Sequence, residues 1–224
     1  MKHTLLTISA FLLIGNALLF KDVNPQPQIM AETHMSLENR AMPESFMAET
    51  MRDNILLTIA YMRGMPISSN PDWDEVRKPF EYTFELKPGE VFTFQKDALP
   101  EYETQVVKTV AVNFGAQDGY KHDGYLMGDG VCHLASILYK AAKQAGIHAY
   151  APTNHDFMPI PEVEREFGVS IYSTPGEKAA NAQQNLYIKN DKNVPITFKV
   201  AYDGKNLVVE VEEQIAEVSI SETI

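Results

Sequence analysis

Apolar side chains recur every three or four residues in two stretches of the chain, which is the spacing of one face of an α-helix. In the first stretch the repeating positions are Met47, Met51, Ile55, Ile59 and Met62. Its polar cover is supplied by Glu44, Glu49, Arg52 and Asp53. The second stretch runs from Val131 to Ala145, with Gly146 at the position where glycine commonly ends a helix. We therefore predict an N-terminal amphipathic helix and a second helix that carries Cys132.

Polar and apolar residues alternate elsewhere, as they do in half-buried strands. The segment FEYTFELKPGEVFTF (80–94) predicts two strands joined by a turn with Pro88 at its second position. Further strands are predicted at 147–150, 185–189, 196–202 and 206–211, and at 105–113 a strand or a short helix. Asp203-Gly204 predicts a hairpin between the last two strands. The predicted class is α+β, with an N-terminal helix and the cysteine-bearing helix packed on an antiparallel sheet that ends in a β-hairpin.

The N-terminus carries a long apolar run, from Thr4 to Phe20, behind Lys2. It is long for the core of a signal peptide and slightly short for a spanning helix of about 20 residues. We read residues 1–22 as a signal peptide or an uncleaved membrane anchor, with a buried core helix as a third reading. The first two readings place the rest of the chain outside the cytoplasmic membrane, either secreted or anchored by residues 4–20.

Composition and charge exclude several classes of protein and of binding site. The chain has 224 residues, 45% of them apolar, and a net charge of −11. This apolar content argues against a fully disordered chain, and the acidic balance disfavours nucleic-acid binding. A single cysteine excludes an internal disulfide and a four-cysteine zinc site. We divide the chain into a linker and Met-rich helix (23–70), a main domain (71–215) and an acidic tail (216–224); the oligomeric state stays open.

The lone cysteine falls where a helix start can activate it. Gly128-Asp129-Gly130 leads directly into the second predicted helix, so Cys132 lies in its first turn. Free N–H groups and the positive end of the helix dipole favour a thiolate there, and a thiolate attacks carbonyl carbons. The glycines allow a substrate close approach and leave N–H groups for an oxyanion. Asp129 opposes this activation, because a nearby carboxylate raises the pKa of a thiol.

A nucleophilic cysteine also needs a base, and His155 is the leading candidate. It follows the strand predicted at 147–150, which returns the chain toward the start of the cysteine-bearing helix. His122 is a second candidate, whereas His133 adjoins Cys132 and is expected to point elsewhere. The base could be oriented by Asp156, Asp123 or Asp129. An inert buried cysteine remains the alternative, and Cys132 with His155 alone is too small a set for a metal site.

The sequence resembles the VanW-domain family over roughly residues 80–211. GDGVC (128–132) with LY (138–139) and AG (145–146) is similar to its signature G-G-G-V-C-Q…T-L-Y…A-G. Upstream, PGEVFTF (88–94) is similar to its P-G-E-x-F-S-F motif, and His155 stands where the family has a histidine. Downstream, Pro175-Gly176 and the strands from Leu186 onward resemble its remaining motifs.

The resemblance implies a function. The family is known from glycopeptide-resistance gene clusters, such as those for vancomycin, and some members are L,D-transpeptidases of peptidoglycan. By resemblance, Cys132 would be acylated by a donor stem peptide and His155 would act as general base and acid. Gly128 and Gly130 would form the oxyanion or substrate loop. The expected partners are peptidoglycan peptides, and the membrane if the N-terminal segment is uncleaved, with no cofactor.

The chain also departs from the family pattern. His133 replaces a glutamine, Asp129 a glycine, and Lys178 and Asn185 stand where the family has aspartates. If either aspartate orients the histidine in the family, that role is vacant or reassigned here, and Asp156 and Asn185 are the candidates for it. Three functions stay open: a cysteine-dependent acyltransferase, a transglutaminase-like cysteine enzyme, and a non-catalytic envelope protein that binds wall peptides.

Overall fold

A computed structural model of the protein describes residues 27–38, 40, 45–122 and 127–215. The helices are α1 (Ser45–Met62), α2 (Trp73–Val76), α3 (Val131–Gln144) and α4 (Lys178–Gln183). The strands are β1 (Gln28–Ser36), β2 (Phe80–Leu86), β3 (Val91–Thr93), β4 (Val106–Thr109), β5 (His148–Tyr150), β6 (Tyr187–Lys189), β7 (Ile196–Tyr202) and β8 (Asn206–Glu213). Helices and mainly antiparallel strands confirm the α+β class.

Both predicted terminal segments, 1–22 and 216–224, lie outside the described residues. Candidate base His122 is described, whereas Asp123 is not. Within the described ranges, no helix has the length and apolar character that crossing a membrane requires.

The first sheet is antiparallel, with strand order β1-β8-β7-β2. Every second residue of β7 is buried, from Ile196 to Tyr202, as the alternating pattern predicts. The turn between β7 and β8 is closed by the Asp203 carboxylate, which accepts hydrogen bonds from the N–H groups of Lys205 and Asn206, each at 2.7 Å. Gly204 supplies the left-handed conformation there, with φ +108°. The predicted hairpin is confirmed.

Strand β1 was not predicted, because its region reads as linker and Met-rich helix. It pairs antiparallel with β8 and shows a register shift between Ile29 and Ala31, which disrupts a strict alternation. Its inward side chains include Met35, which is fully buried in the core that α1 and α3 share. The sheet of the main domain therefore begins at Gln28, ahead of α1.

The second sheet has the order β4-β3-β6-β5, with β3 and β4 parallel and the other pairs antiparallel. The two strands predicted within 80–94 exist, but β2 lies in the first sheet and β3 in the second. The intervening turn is anchored by Asn190, whose amide donates to the carbonyls of Leu86 and Val194 at 2.8 Å each. The N–H of Gly89 donates to the Asn190 carbonyl, also at 2.8 Å. The single antiparallel sheet that the sequence predicts is therefore divided into two four-stranded sheets.

Helix α1 is more deeply buried than one apolar stripe would require. All residues from Asp53 to Met62 are buried, whereas Met47 and Met51 are only half-buried. Asp53 was expected in the polar cover, yet its carboxylate is enclosed and paired with Arg77 at 2.7 Å and Lys121 at 2.5 Å. Three cations offset its burial, since Arg52 also pairs with Asp53 at 3.1 Å. Desolvation raises the pKa of Asp53, but the hydrogen bonds from Arg77 and Lys121 and the charges of Lys121 and Arg52 outweigh it, so the pKa is lowered.

The polar residues of α1 hold the loop that leads into α3. The Asn54 amide donates to the carbonyls of Lys121 and Asp129 at 3.0 and 2.9 Å and accepts from the Lys121 N–H at 2.8 Å. One turn later, the Thr58 hydroxyl bonds to the Tyr120 hydroxyl at 2.9 Å. Both ends of this loop are therefore hydrogen-bonded to side chains of α1.

Helix α3 begins in close contact with the α1 backbone. Its N-cap residue is Gly130, with φ +96°, and a Cβ built there would lie 2.4 Å from the Met51 carbonyl oxygen. At the other end, Gly146 has φ +67° and follows the helix as predicted. Gly130, two residues before Cys132, is thus required for the packing of α3 against α1.

Two short helices were also absent from the prediction. The polar loop 68–77 contains α2, whose N-cap Asp72 accepts from the N–H groups of Asp74 and Glu75. Helix α4 follows Pro175-Gly176, in a region with no apolar periodicity. Both are too short for a periodic signal to identify them.

We expect Gly130→Ala to lower the free energy of unfolding by about 2–5 kcal/mol, since it adds a steric clash to a left-handed backbone conformation. Gly146→Ala is the matched control, because φ is also positive there but no atom lies within 4 Å of the built Cβ. That control should cost only about 1–2 kcal/mol. Urea unfolding of both variants measures the difference, and equal losses would contradict the close contact between α1 and α3.

Candidate functional site

Cys132 is the second residue of α3, as predicted. The backbone of residues 169–171, which we call the strap, lies against its sulfur. The Cys132 thiol donates to the Ile171 carbonyl at 3.6 Å and accepts from the Ile171 N–H at 3.4 Å. One helical turn later, the Ser136 hydroxyl donates to the Cys132 carbonyl at 2.7 Å and accepts from the Val169 N–H at 2.8 Å. The segment 169–171 is therefore held against the first turn of α3.

Burial decides the ionisation of this thiol. Burial is the larger cause, and the charge of Asp129 a smaller one, of a pKa of Cys132 that is raised to about 11. Hydrogen bonding to the N–H groups of Ile171 and of Cys132 itself lowers the pKa, but by less than burial raises it. The helix start alone predicts a thiolate, whereas this half-buried thiol, with its raised pKa, is neutral at pH 7.

His155 reaches the same end of α3 but contacts a different residue. Its ring packs edge-on against the His133 ring, with centroids 6.2 Å apart, and lies 4.0 Å from the Phe157 ring. No hydrogen bond joins Cys132 and His155, both of which belong to the described chain. Consecutive side chains on a helix diverge by about 100°, so a ring that faces His133 is turned away from Cys132.

Both imidazoles are buried and neutral. Burial, followed by the charge of Arg40 and the neighbouring His155, lowers the pKa of His133 to about 3. Burial also lowers the pKa of His155, although hydrogen bonding to the backbone of His155 and Met158 opposes that change. The Nδ1 atoms of His133 and His155 have no hydrogen-bond partner. A neutral ring with an unpartnered nitrogen can still accept a proton.

The predicted glycine loop has a different role in this structure. The N–H of Gly128 donates to the Lys121 carbonyl, and the carbonyls of Gly128 and Gly130 accept from the first N–H groups of α3. A Cβ at Gly128 would lie 2.9 Å from the Phe114 carbonyl oxygen. These glycines therefore shape the loop, while the N–H groups at the sulfur come from Cys132 and Ile171.

The two residues expected to orient the histidine do not hydrogen-bond to it. The Asp156 side chain is exposed, and its charge only weakly opposes the lowered pKa of His155. Asn185 is fully buried, and its amide bonds to the backbone of Gln95, Asp97 and Leu186. Asn185 therefore fastens the start of β6 to the segment after β3. The second base candidate, His122, is exposed on an isolated bridge with Met127.

Sequence reasoning missed Arg40, whose buried guanidinium lies close enough to His133 to lower its pKa. No local pattern marks this residue, since Arg40 is separated from His133 by most of the N-terminal half of the chain. In the described ranges, no group of three His, Cys, Asp or Glu side chains could hold a metal ion.

Comparison with known proteins adds one finding. A family model described as VanW like protein matches residues 83–212, which cover β3 to β8 and the cysteine-bearing helix. The curated proteins contain no match to the chain. The solved structures contain none either.

We expect Cys132 to react slowly with iodoacetamide in the folded protein. At pH 7.5, a thiol with a pKa of about 11 holds roughly 300-fold less thiolate than an ordinary cysteine with a pKa of about 8.5. The alkylation rate should rise steadily up to about pH 10, whereas the chain unfolded in guanidinium should level off near pH 9. A plateau of the folded rate below pH 8 would show that the thiol is activated.

The buried neutral histidines should make the fold sensitive to acid. Since His133 has a lower pKa folded than unfolded, stability is complete above pH 6.5 and falls as the pH drops toward 3. At pH 5 the loss from His133 should be about 2 kcal/mol. Urea unfolding at pH 7 and pH 5 measures it, with His133→Gln as the comparison. Equal acid sensitivity in the two proteins would contradict a buried neutral imidazole.

Proposed function

Because the chain belongs to the VanW family, we propose that it is an extracytoplasmic protein that acts on peptidoglycan stem peptides through Cys132. We propose further that the action is acyl transfer of the L,D-transpeptidase type. Residues 4–20 would export the chain or anchor it to the membrane, which places it beside its substrate. Family membership supports the general role, and the surroundings of Cys132 support the specific reaction.

The observation that carries the proposal is the position of backbone N–H groups at the sulfur. The N–H of Ile171 donates to Sγ at 3.4 Å, and the backbone of Cys132 itself also lowers the pKa of the thiol. When a sulfur attacks a carbonyl carbon, the oxyanion forms two bonds away from it, so donors at the sulfur are close to the charge that develops. Their backbone atoms are fixed by the strap and by α3, which limits reorganisation during the reaction.

The reaction divides into two balanced steps. The Cys132 thiol loses its proton and attacks the carbonyl carbon before the last residue of a donor stem peptide. The peptide bond breaks, the last residue leaves as an amine that takes up a proton, and a thioester remains. An amine of a second stem peptide then attacks the thioester, which forms the cross-link and returns the thiol.

His155 is the proposed proton acceptor and donor in both steps. Burial keeps it neutral, and its Nδ1 atom is unpartnered, so it has the capacity to accept the thiol proton. In the resting structure that proton bonds to the Ile171 carbonyl instead. The proposal therefore requires the bound peptide to displace this contact and bring His155 toward Cys132.

A second candidate is a non-catalytic envelope protein that binds wall peptides. It is favoured by the neutral thiol and by the absence of a hydrogen bond between Cys132 and His155 in the described chain. In this case Cys132 would be a core residue that fastens the strap. The transglutaminase-like alternative has no separate observation in its favour, since the family match already covers the helix and strand that suggested it.

Intact-mass spectrometry of the protein with a disaccharide tetrapeptide should reveal a thioester adduct. The expected mass gain equals the mass of the donor minus that of the free amino acid it releases, and it should be absent in Cys132→Ser and Cys132→Ala. Chromatography of the mixture should show cross-linked dimers. The His155→Ala variant should form the adduct about 10²- to 10⁴-fold more slowly, as is typical when a general base is lost.

The same experiment separates the two candidates. Peptide binding without adduct or dimer, equal in the native protein and in Cys132→Ala, would overturn acyl transfer and support the binding protein. Adduct formation that survives in His155→Ala at the native rate would remove His155 from the mechanism.

A further inference from the structure

Arg40 is a buried cation with unused hydrogen-bond donors. Its side chain is 0% exposed, and one nitrogen, Nη2, donates to the Glu162 carboxylate. The other two nitrogens, Nε and Nη1, are buried with no hydrogen-bond partner. Burying an unpaired charged donor costs more free energy than burying a neutral one. An arrangement of this kind is expected where a further acceptor arrives.

Two more unpartnered nitrogens lie beside Arg40. The perpendicular rings of His133 and His155 are in contact, and the Nδ1 atom of each is buried without a partner. The charge of Arg40 acts on the pKa of His133 and is not among the causes that act on His155, so the guanidinium lies on the His133 side of this pair. Of the eight such atoms in the described chain, four belong to Arg40, His133 and His155.

The carboxylate that now contacts Arg40 is accessible and strained. The Glu162 side chain is 38% exposed, so solvent reaches the outer side of this ion pair. The Glu162 backbone has φ +64°, a conformation that costs a non-glycine residue free energy. Its carbonyl oxygen is held by Lys140 Nζ at 2.9 Å. A ligand that replaced the Glu162 side chain would therefore reach the guanidinium without unpacking the core.

We propose that Arg40, with the Nδ1–H tautomer of His133, binds the terminal carboxylate of a peptide, and that the Glu162 carboxylate occupies this site in the free protein. A carboxylate is the ligand group that fits, because Glu162 already makes this contact with one. The identity of the peptide as a stem peptide rests on the proposed function.

The position of this site relative to Cys132 matches the proposed substrate. His133 directly follows Cys132, so their Cα atoms are about 3.8 Å apart. In a donor peptide, the terminal carboxylate likewise lies one residue beyond the carbonyl that the thiol attacks. Arg40 would thus bind the carboxylate of the amino acid that is released, while the carbonyl that the thiol attacks lies at the start of α3.

Calorimetric titration with the Cys132→Ala protein tests this, since that variant binds without turnover. The probes are a stem tetrapeptide with a free terminal carboxylate, the same peptide as its terminal amide, and free D-alanine. We expect the acid to bind about 10- to 100-fold more tightly than the amide. Adding Arg40→Lys or Arg40→Met should remove that preference.

Glu162→Gln supplies the decisive comparison. Removing the internal competitor should tighten binding of the peptide acid by about tenfold, if Glu162 occupies the site nine-tenths of the time. Glu164→Gln is the matched control, because that exposed carboxylate pairs with Lys140 and not with Arg40. It should leave the affinity unchanged. Thermal unfolding identifies any variant that fails to fold. If the Arg40 variants do not fold, the comparison of Glu162→Gln with Glu164→Gln still tests the proposal.

Equal binding of acid and amide, or an unchanged affinity in Glu162→Gln, would overturn the proposal. Free D-alanine that binds as tightly as the tetrapeptide would overturn the assignment to a peptide terminus. The titration does not depend on Cys132, so preference for the acid without any cross-linked product would refute acyl transfer alone. Product formation without that preference would refute only the carboxylate site.

Discussion

The contact between α1 and the first residue before α3 determines where the cysteine lies. Only a glycine fits at position 130, because the Met51 carbonyl oxygen occupies the space that a Cβ would need. The Asn54 amide then holds the preceding loop by two carbonyls, those of Lys121 and Asp129. The backbone that leads to Cys132 is therefore fixed by α1, and the strap at 169–171 closes over it from the other side.

Two opposing electrostatic effects meet at Cys132, and burial is the larger. The helix start and the backbone around the sulfur stabilise a thiolate, but they act on a half-buried cysteine whose desolvation raises the pKa by more. The nearby carboxylate of Asp129 adds to the effect of burial. A reactive state of this protein therefore requires a change at the strap, since no residue in the described chain offers the thiol a base in its present position.

The fold could be predicted where its signals are local. The spacing of apolar residues identifies α1 and α3, and Asp203-Gly204 identifies the final hairpin. Strand β1 could not be found, because a register shift interrupts its alternation. The division into two sheets depends on Asn190, which binds chain segments that are distant in sequence. Likewise, the sequence places Cys132 and His155 near one helix end, but side-chain direction pairs His155 with His133.

Most large polar groups in this core are satisfied, which makes the exception near α3 informative. Asn185 and Asn190 use their amides fully, and Asp53 has three cationic partners. Arg40 has one partner for three nitrogens, and that partner, Glu162, is the partly exposed and strained member of the pair. A core that satisfies the Asp53 carboxylate so completely has no packing reason to leave two nitrogens of this guanidinium without a partner. Half of the unpartnered buried polar atoms in the described chain therefore belong to Arg40, His133 and His155, beside the cysteine, where a ligand has to bind if the family fold acts on peptides.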